Sequence, residues 1–317
     1  MKYRLLPGTD LELSVIGFGC WPMGGEHWGD DTSDDDLIAA VHTALDQGVN
    51  WFDTAPLYGR GRAESLLARA LDGRKAVIAT KVGIVDSEGE HVYSDPTYAR
   101  VISDCEDSLR RLNIDCIDLL QVHWAPERAV PLEESIAALV YLQEQGKIRH
   151  FGVCNYSPSE LTRARAAGPV VSLQTPYSLL RRELEGPLLE SSSGIGVLAY
   201  ETLCRGLLTN KHLRAPTFPQ TDMRRRDPRF RGQRFAHARR LLDDLSAIGQ
   251  KVDAPVAALS IGWVLSQPGI TAAIVGMKRP AQVHEDLRCI PLLDRERLWS
   301  VVGRVAALHG GSPAGPG

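Results

Sequence analysis

A chain of 317 residues with a formal net charge of -3 carries no field that would hold it on nucleic acid or on an anionic membrane. Hydrophobic residues make up 44% and charged residues 24%, enough for a large core, and the length suits one α/β barrel of ~250 residues with additions. The six cysteines (Cys20, Cys105, Cys116, Cys154, Cys204, Cys289) form no C-x-x-C and adjoin no His cluster, which argues against a zinc site or a disulfide framework and fits a reducing compartment.

In chain order, residues 1–8 contain no apolar signal region, and no apolar run nears the roughly 18 residues of a membrane span, so a cytoplasmic protein is expected. Residues 3–13 read as two short strands around Pro7-Gly8-Thr9-Asp10. A buried strand at 15–19 precedes a helix at 33–48, opened by Ser33 and Asp36 as a capping box and closed by Gly48. Next come a strand through Trp51-Phe52, a short helix at 64–71 and a strand at 76–80 that runs into Lys81. The helix at 96–112 aligns Val101, Cys105, Leu109 and Leu112 on one face, and the strand at 117–122 ends at His123. A helix at 131–145 and a strand at 148–153 follow, and Ser157, Pro158 and Glu160 open another helix. Strands at 170–173, 196–199 and 270–275 alternate with helices at 233–249, 256–266, 280–288 and 294–308. Residues 310–317, all Gly, Pro, Ser and Ala, read as a disordered tail after a unit spanning 1–309.

The strands are near-continuous apolar runs, the mark of a parallel sheet covered by helices on both faces. An open doubly wound sheet would carry G-x-G-x-x-G after its first strand, but Gly17-x-Gly19 is followed by Pro22. The expected fold is therefore α/β, a closed (β/α)8 TIM barrel with an N-terminal β-hairpin and extra C-terminal helices.

Polar residues stand where successive strands end: Asp53, Lys81, His123, Asn155 and Gln174. Each alone is more simply a cap or a solvated loop residue. A barrel gathers its strand ends at one mouth, and there an acid, an amine and an imidazole meet Tyr58, five residues past Asp53. A phenol titrates near ~10, and a nearby ammonium is expected to lower that value. An Asp would hold the ammonium charged. Proton donation by Tyr58 to a carbonyl oxygen is useful where a hydride reaches the carbon, which implies a nicotinamide cofactor.

Residues 50–59 (NWFDTAPLYG), with Glu64, Thr80-Lys81, Leu119-Leu120-Gln121-Val122-His123-Trp124 and Gly152-Val153-Cys154-Asn155, resemble the aldo-keto reductase superfamily over about residues 3–290. Within it, the chain looks nearest to bacterial aldehyde reductases related to potassium-channel β subunits. The resemblance implies reduction of an aldehyde or ketone to an alcohol, reversibly, with bound NADP(H); NAD(H) is the alternative cofactor. It implies Tyr58 as general acid/base, assisted by Lys81, Asp53 and His123. Asn155 and Gln174 would hold the nicotinamide carboxamide, Tyr200 would stack on the ring, and the Arg205-Gly206-Leu208 loop would pass the pyrophosphate. Gly276, Lys278, Gln282, Glu285 and Asp286 would bind the adenosine end, where Lys278 and Arg279 at a helix start suit a phosphate. No metal and no nucleic-acid partner are expected.

Five positions depart from the family pattern: Cys154 for Ser, Glu201-Thr202 for Ser-Pro, Gln282 for Arg and Asp286 for Asn. A carboxylate at Glu201 could repel phosphate or bind a substrate hydroxyl. Arg214, Arg224, Arg225, Arg226, Arg229, Arg231 and Arg234 follow strand seven, as a solvated loop or as a lid over cofactor phosphates. Trp21 and Trp124, directly after strand ends, are the candidate substrate walls; Trp28 reads equally as loop packing. Two other functions compete: a redox-sensing regulatory subunit that holds NADP(H) with slow turnover, and a Schiff-base barrel using Lys81.

Overall fold

The computed structural model describes residues 1–25, 28, 32–87, 91–127, 130–209, 211 and 216–309. The tail at 310–317 and Arg214 lie outside the described residues. An antiparallel hairpin of β1 (Tyr3–Leu5) and β2 (Glu12–Ser14) comes first. The main sheet then alternates strand and helix: β3 (Ile16–Gly19), α1 (Asp34–Asp46), β4 (Trp51–Asp53), α2 (Arg62–Leu71) and β5 (Val77–Val82). A second hairpin, β6 (Ile84–Ser87) and β7 (His91–Ser94), precedes α3 (Tyr98–Leu112), β8 (Ile117–Val122), α4 (Leu132–Glu144), β9 (Ile148–Cys154) and α5 (Pro158–Ala167). The chain continues through β10 (Val170–Pro176), α6 (Pro187–Ser191), β11 (Gly196–Tyr200), α7 (Gly232–Val252), α8 (Val256–Ser266), β12 (Ile270–Gly276), α9 (Pro280–Leu287) and α10 (Glu296–Leu308).

Strands β3, β4, β5, β8, β9, β10, β11 and β12 are parallel and close into a barrel, with β12 pairing back onto β3 from Ala273↔Ile16 to Gly276↔Gly19. This is the expected (β/α)8 architecture. Because side chains alternate along a strand, each strand serves two cores. Outward residues such as Phe18, Phe52, Val197 and Val275 pack with Leu37, Val41, Leu67 and Leu259 of the surrounding helices. Inward residues Trp51, Ala79, Leu119, Leu198, Ala272 and Ile274 form a separate apolar cluster that includes Leu6, Leu11 and Leu13 of the first hairpin. Gly17 makes room for this floor, since a Cβ there would stand 2.2 Å from the Trp51 indole. Trp51 Nε1 donates to the Ser14 carbonyl at 2.8 Å and ties the floor to the hairpin.

Local signals set the helix starts. Ser157 and Glu160 make the reciprocal capping box at α5. At α1, Ser33 Oγ accepts from the Asp36 N–H at 3.1 Å, while the shorter Asp36 carboxylate lies 3.9 Å from Arg279 instead of turning back. Glu64 on α2 is buried, accepting from Thr80 Oγ1 at 2.7 Å and from Arg111 Nε at 2.6 Å. That charge is thereby paired, and it pins α2 and α3 to β5.

Candidate active site

The same alternation that builds the floor builds the layer above it. Two residues after the apolar Trp51 comes Asp53, and two after Ala79 comes Lys81; both are buried. Lys81 Nζ donates to Asp53 Oδ1 at 2.6 Å, to the Thr54 carbonyl at 2.9 Å and to Tyr58 Oη at 3.3 Å. An ammonium has three N–H bonds, and all three are assigned. Gln174 Nε2 donates to the other Asp53 oxygen at 2.7 Å, so the carboxylate is held on both sides. The Tyr58 loop is fixed by a close crossing: at Gly59, with φ +63°, a Cβ would meet the Gly24 carbonyl oxygen at 2.1 Å.

His123 follows β8, edge-on to Tyr58 with ring centroids 6.1 Å apart. Burial and the Lys81 charge push its pKa well below the ordinary value, so the imidazole is neutral. Burial alone would lower the Lys81 pKa, but Asp53 and then Tyr58 outweigh it and raise the value. The Tyr58 phenol corrects what residue types alone suggest. Burial raises its pKa by more than Lys81 lowers it, Asp53 adds to the rise, and the value is pushed up to about 12. The ammonium acts in the expected direction, but desolvation is the larger effect.

Above this cluster a single cavity of about 520 Å³ runs from Asp53 to α9. Its aromatic side has Trp21 stacked on Tyr58 at 6.0 Å and edge-on to Trp28 at 5.1 Å, with Trp124 beside His123 at 5.6 Å. Trp28 thus lines the cavity, although residue type left it equally a packing residue. Asn155, held at φ +60°, donates from Nδ2 to the His123 carbonyl at 3.0 Å and accepts from Tyr200 Oη at 2.8 Å. Arg205, Gly206, Gly276, Lys278, Gln282, Glu285 and Asp286 also line it. Leu208 does not: it is fully buried in the outer core beside Leu207.

Glu201 is not the bare charge its position suggested. One carboxylate oxygen accepts from Arg205 Nε at 2.7 Å, the other from Arg181 at 3.2 Å and Arg229 at 3.1 Å. Burial favours the neutral acid, but Arg229 and Arg205 prevail and hold its pKa below the usual range. Arg229 and Arg205 also engage Asp227, which ties the segment after β11 to the barrel rim. Arg224 pairs with Asp222, and its guanidinium lies 5.3 Å from the Trp28 ring and 4.6 Å from Phe218. This places part of the Arg-rich segment on the cavity wall. Leu57, Arg181, Lys211 and Phe218 line the cavity without having been singled out. Gln121 is buried directly before His123 in the strand alternation, a signal the period of two does contain.

A dinucleotide fits this donor set. Amide groups and an aromatic face stand near Tyr58, and the cations Arg205, Arg224, Lys278 and Arg279 line the same cavity. Among the described residues no group of His, Cys, Asp and Glu could hold a metal ion.

A closed parallel barrel whose rim joins tyrosine, lysine, aspartate and histidine beside a long polar-ended cavity defines an oxidoreductase class. Residues 15–297 match the aldo/keto reductase family, and the chain belongs to that family. It is 37% identical over 291 residues to the Aldo-keto reductase YhdN of Bacillus subtilis (strain 168), covering 90% of this chain and 87% of that one. Among solved structures it is similar to the glycerol dehydrogenase AKR11B4 from Gluconobacter oxydans, with a TM-score of 0.85, 36% identity and coverage of 99% and 98% of the two chains. The holo form of aldo-keto reductase AKR11C1 from Bacillus halodurans aligns with a TM-score of 0.75, 26% identity and 95% and 96% coverage.

Proposed function

We propose that the chain reduces an aldehyde or ketone to an alcohol with NADPH, and runs the reverse oxidation with NADP+. The observation that carries this reading is the Lys81 ammonium shared between the Asp53 carboxylate and the Tyr58 phenol at the mouth of the cavity. The bound nicotinamide supplies the hydride. Tyr58, with its pKa pushed up to about 12, is protonated at neutral pH and hands its proton to the carbonyl oxygen. Lys81 stabilises the phenolate left behind, and Asp53, itself held by Gln174, keeps Lys81 in place together with the Thr54 carbonyl. Neutral His123 has a ring N–H to offer the same oxygen, which orients it without competing for the proton. With its three N–H groups committed and its pKa raised, Lys81 is a poor Schiff-base nucleophile.

Asn155, Gln174 and Tyr200 would hold the nicotinamide end. Lys278 and Arg279, at the start of α9, favour a 2′-phosphate and so NADP(H) over NAD(H). The likeness to a protein named a glycerol dehydrogenase puts short polyols and their aldehydes on the assay panel. The six unpaired cysteines fit a cytoplasmic setting. Among the described residues no helix is long and apolar enough to cross a membrane.

Tyr58→Phe tests the reading. Turnover of aldehydes should fall to background while NADPH binds with unchanged Kd. Substantial residual turnover would mean that another group donates the proton. Tight NADPH binding by the unmodified protein with negligible turnover over aldehydes, ketones and sugars would instead indicate the redox-sensing subunit.

A further inference from the structure

A second cleft, of about 720 Å³, lies at the base of the barrel between the first hairpin and the helices α8 and α10. Its cations are Lys2, Arg4, Arg182 and Arg304, and its carboxylates are Asp294 and Glu296. Two of the cations are matched: Lys2 by Asp294 at 2.6 Å, and Arg182 by a two-pronged pairing with Glu185 at 2.6 and 2.9 Å. Arg4 instead donates to the Ile270 carbonyl at 2.7 Å and to the Leu265 carbonyl at 3.0 Å, and burial lowers its pKa with no acid to offset it. Arg304, exposed on α10, has no ion pair within 4 Å among the described residues. The third unmatched donor is Trp263 on α8. That residue is 2% exposed, and its Nε1 makes no hydrogen bond among the described residues, whereas Trp299 Nε1 donates to the Leu293 carbonyl at 3.1 Å. Nor is the Trp263 nitrogen sealed inside the protein, as that of Trp28 is. It faces Gly303, another wall residue, where a Cβ would stand 2.8 Å away, so the missing side chain leaves the N–H open to the cleft. The Ser266 hydroxyl and the Gln267 amide are turned onto the Trp263 carbonyl, at 2.7 and 2.9 Å.

A buried N–H without an acceptor forfeits a hydrogen bond, and a half-buried guanidinium without an anion lacks its counter-charge. With the matched pairs set aside, Arg4 and Arg304 stand against Glu296 alone, so the walls are positive. We propose that this cleft binds a phosphate group, held by charge-assisted hydrogen bonds from Arg304 and Arg4 and by the Trp263 N–H. A guanidinium has five N–H bonds, so Arg4 keeps donors to spare after capping α8. A tetrahedral phosphate accepts from several directions at once, which suits donors arriving from β1, α8 and α10. One phosphate fills a small part of such a volume, which leaves room for the rest of a small hydrophilic ester. The cleft shares no wall residue with the cavity at Tyr58, and the floor around Trp51 and the first hairpin stands between the barrel mouth and its base. The proposal is therefore independent of the cofactor reading. A ligand held there only in the folded state joins the hairpin to α8 and α10 and raises stability.

The test measures, by calorimetry, the rise in Tm on adding inorganic phosphate, against chloride at equal ionic strength. NADPH is kept saturating so that phosphate does not report on Lys278 and Arg279. At about ten times its Kd, phosphate should raise Tm by roughly 3 °C. Arg304→Gln, at an exposed position, should weaken phosphate binding about tenfold. Trp263→Phe, which keeps an aromatic ring and removes the N–H, should weaken it about fivefold. The rise is read against each protein's own Tm, so a variant of lower stability remains informative. Glycerol 3-phosphate distinguishes the source: binding tighter than that of phosphate assigns the cleft to a phosphate ester, and weaker binding assigns it to the free ion. A rise no larger than that with chloride, or one that either variant keeps in full, overturns the proposal and leaves the reductase reading intact.

Discussion

Replacing Lys81 by Met removes the charge on which the site's chemistry turns while keeping a side chain of similar length. Lys81 Nζ stands 3.3 Å from Tyr58 Oη. At an effective dielectric of about 20, a unit charge at that distance stabilises a full phenolate by about 5 kcal/mol. A transition state in which the proton is half transferred feels about half of that, so kcat should fall roughly 100-fold. The phenol, already pushed up to about 12 by burial, loses the one group that lowers its pKa, so added base will not rescue the rate. The substitution also leaves the buried Asp53 carboxylate without its counter-charge, held by Gln174, which should cost about 3–5 kcal/mol of stability. Lys81→Met with Asp53→Asn should recover most of that stability and none of the rate. The assays are NADPH oxidation at saturating aldehyde and urea unfolding followed by circular dichroism. A Lys81→Met enzyme that keeps kcat within fivefold of the parent would refute the electrostatic role assigned to the ammonium.

His123 makes a pH prediction. Its pKa is depressed below its unfolded value of 6.5, so the stability tied to its neutral form is fully present above 6.5 and is lost as pH falls toward the folded value. The loss should be about 1.4 kcal/mol per pH unit, and His123→Gln should remove that part of the slope in urea melts between pH 7.5 and 5.5. Arg224 and Arg229 should behave differently despite their nearness in sequence. Arg224, lodged between Trp28 and Phe218 on the cavity wall, should on truncation to Ala raise NADPH Kd about tenfold and leave the carbonyl KM unchanged, the loss of about one charged hydrogen bond. Arg229 is committed to Asp227 and Glu201, so Arg229→Ala should show chiefly as lowered thermal stability, measured by calorimetry.

The barrel was legible because a parallel strand buried on both faces is an apolar run, and a polar residue ending such a run is conspicuous. Asp53, Lys81, His123 and Gln174 stood out for that reason, and closure of the sheet brings them together. The β6–β7 hairpin was not legible: Val82-Gly83-Ile84 continues the apolar character of β5, and nothing in one dimension separates the two strands. Long-range pairing was equally hidden. The three arginines on Glu201 come from positions 181, 205 and 229, and no local pattern joins them. The Tyr58 pKa failed for a related reason. The neighbouring charge is visible as a residue type, whereas the loss of water around the ring depends on every loop that covers it. In the loop after β11 the turn through Leu203 and Gly206 sends the Leu208 side chain into the core, a direction that residue type does not give.

The first hairpin seals one end of the barrel, with Leu6, Leu11 and Leu13 seated under Trp51. A vessel stoppered at its base is filled from the brim, so on the reductase reading the hydride donor and the carbonyl compound would both come to the tyrosine from that open side.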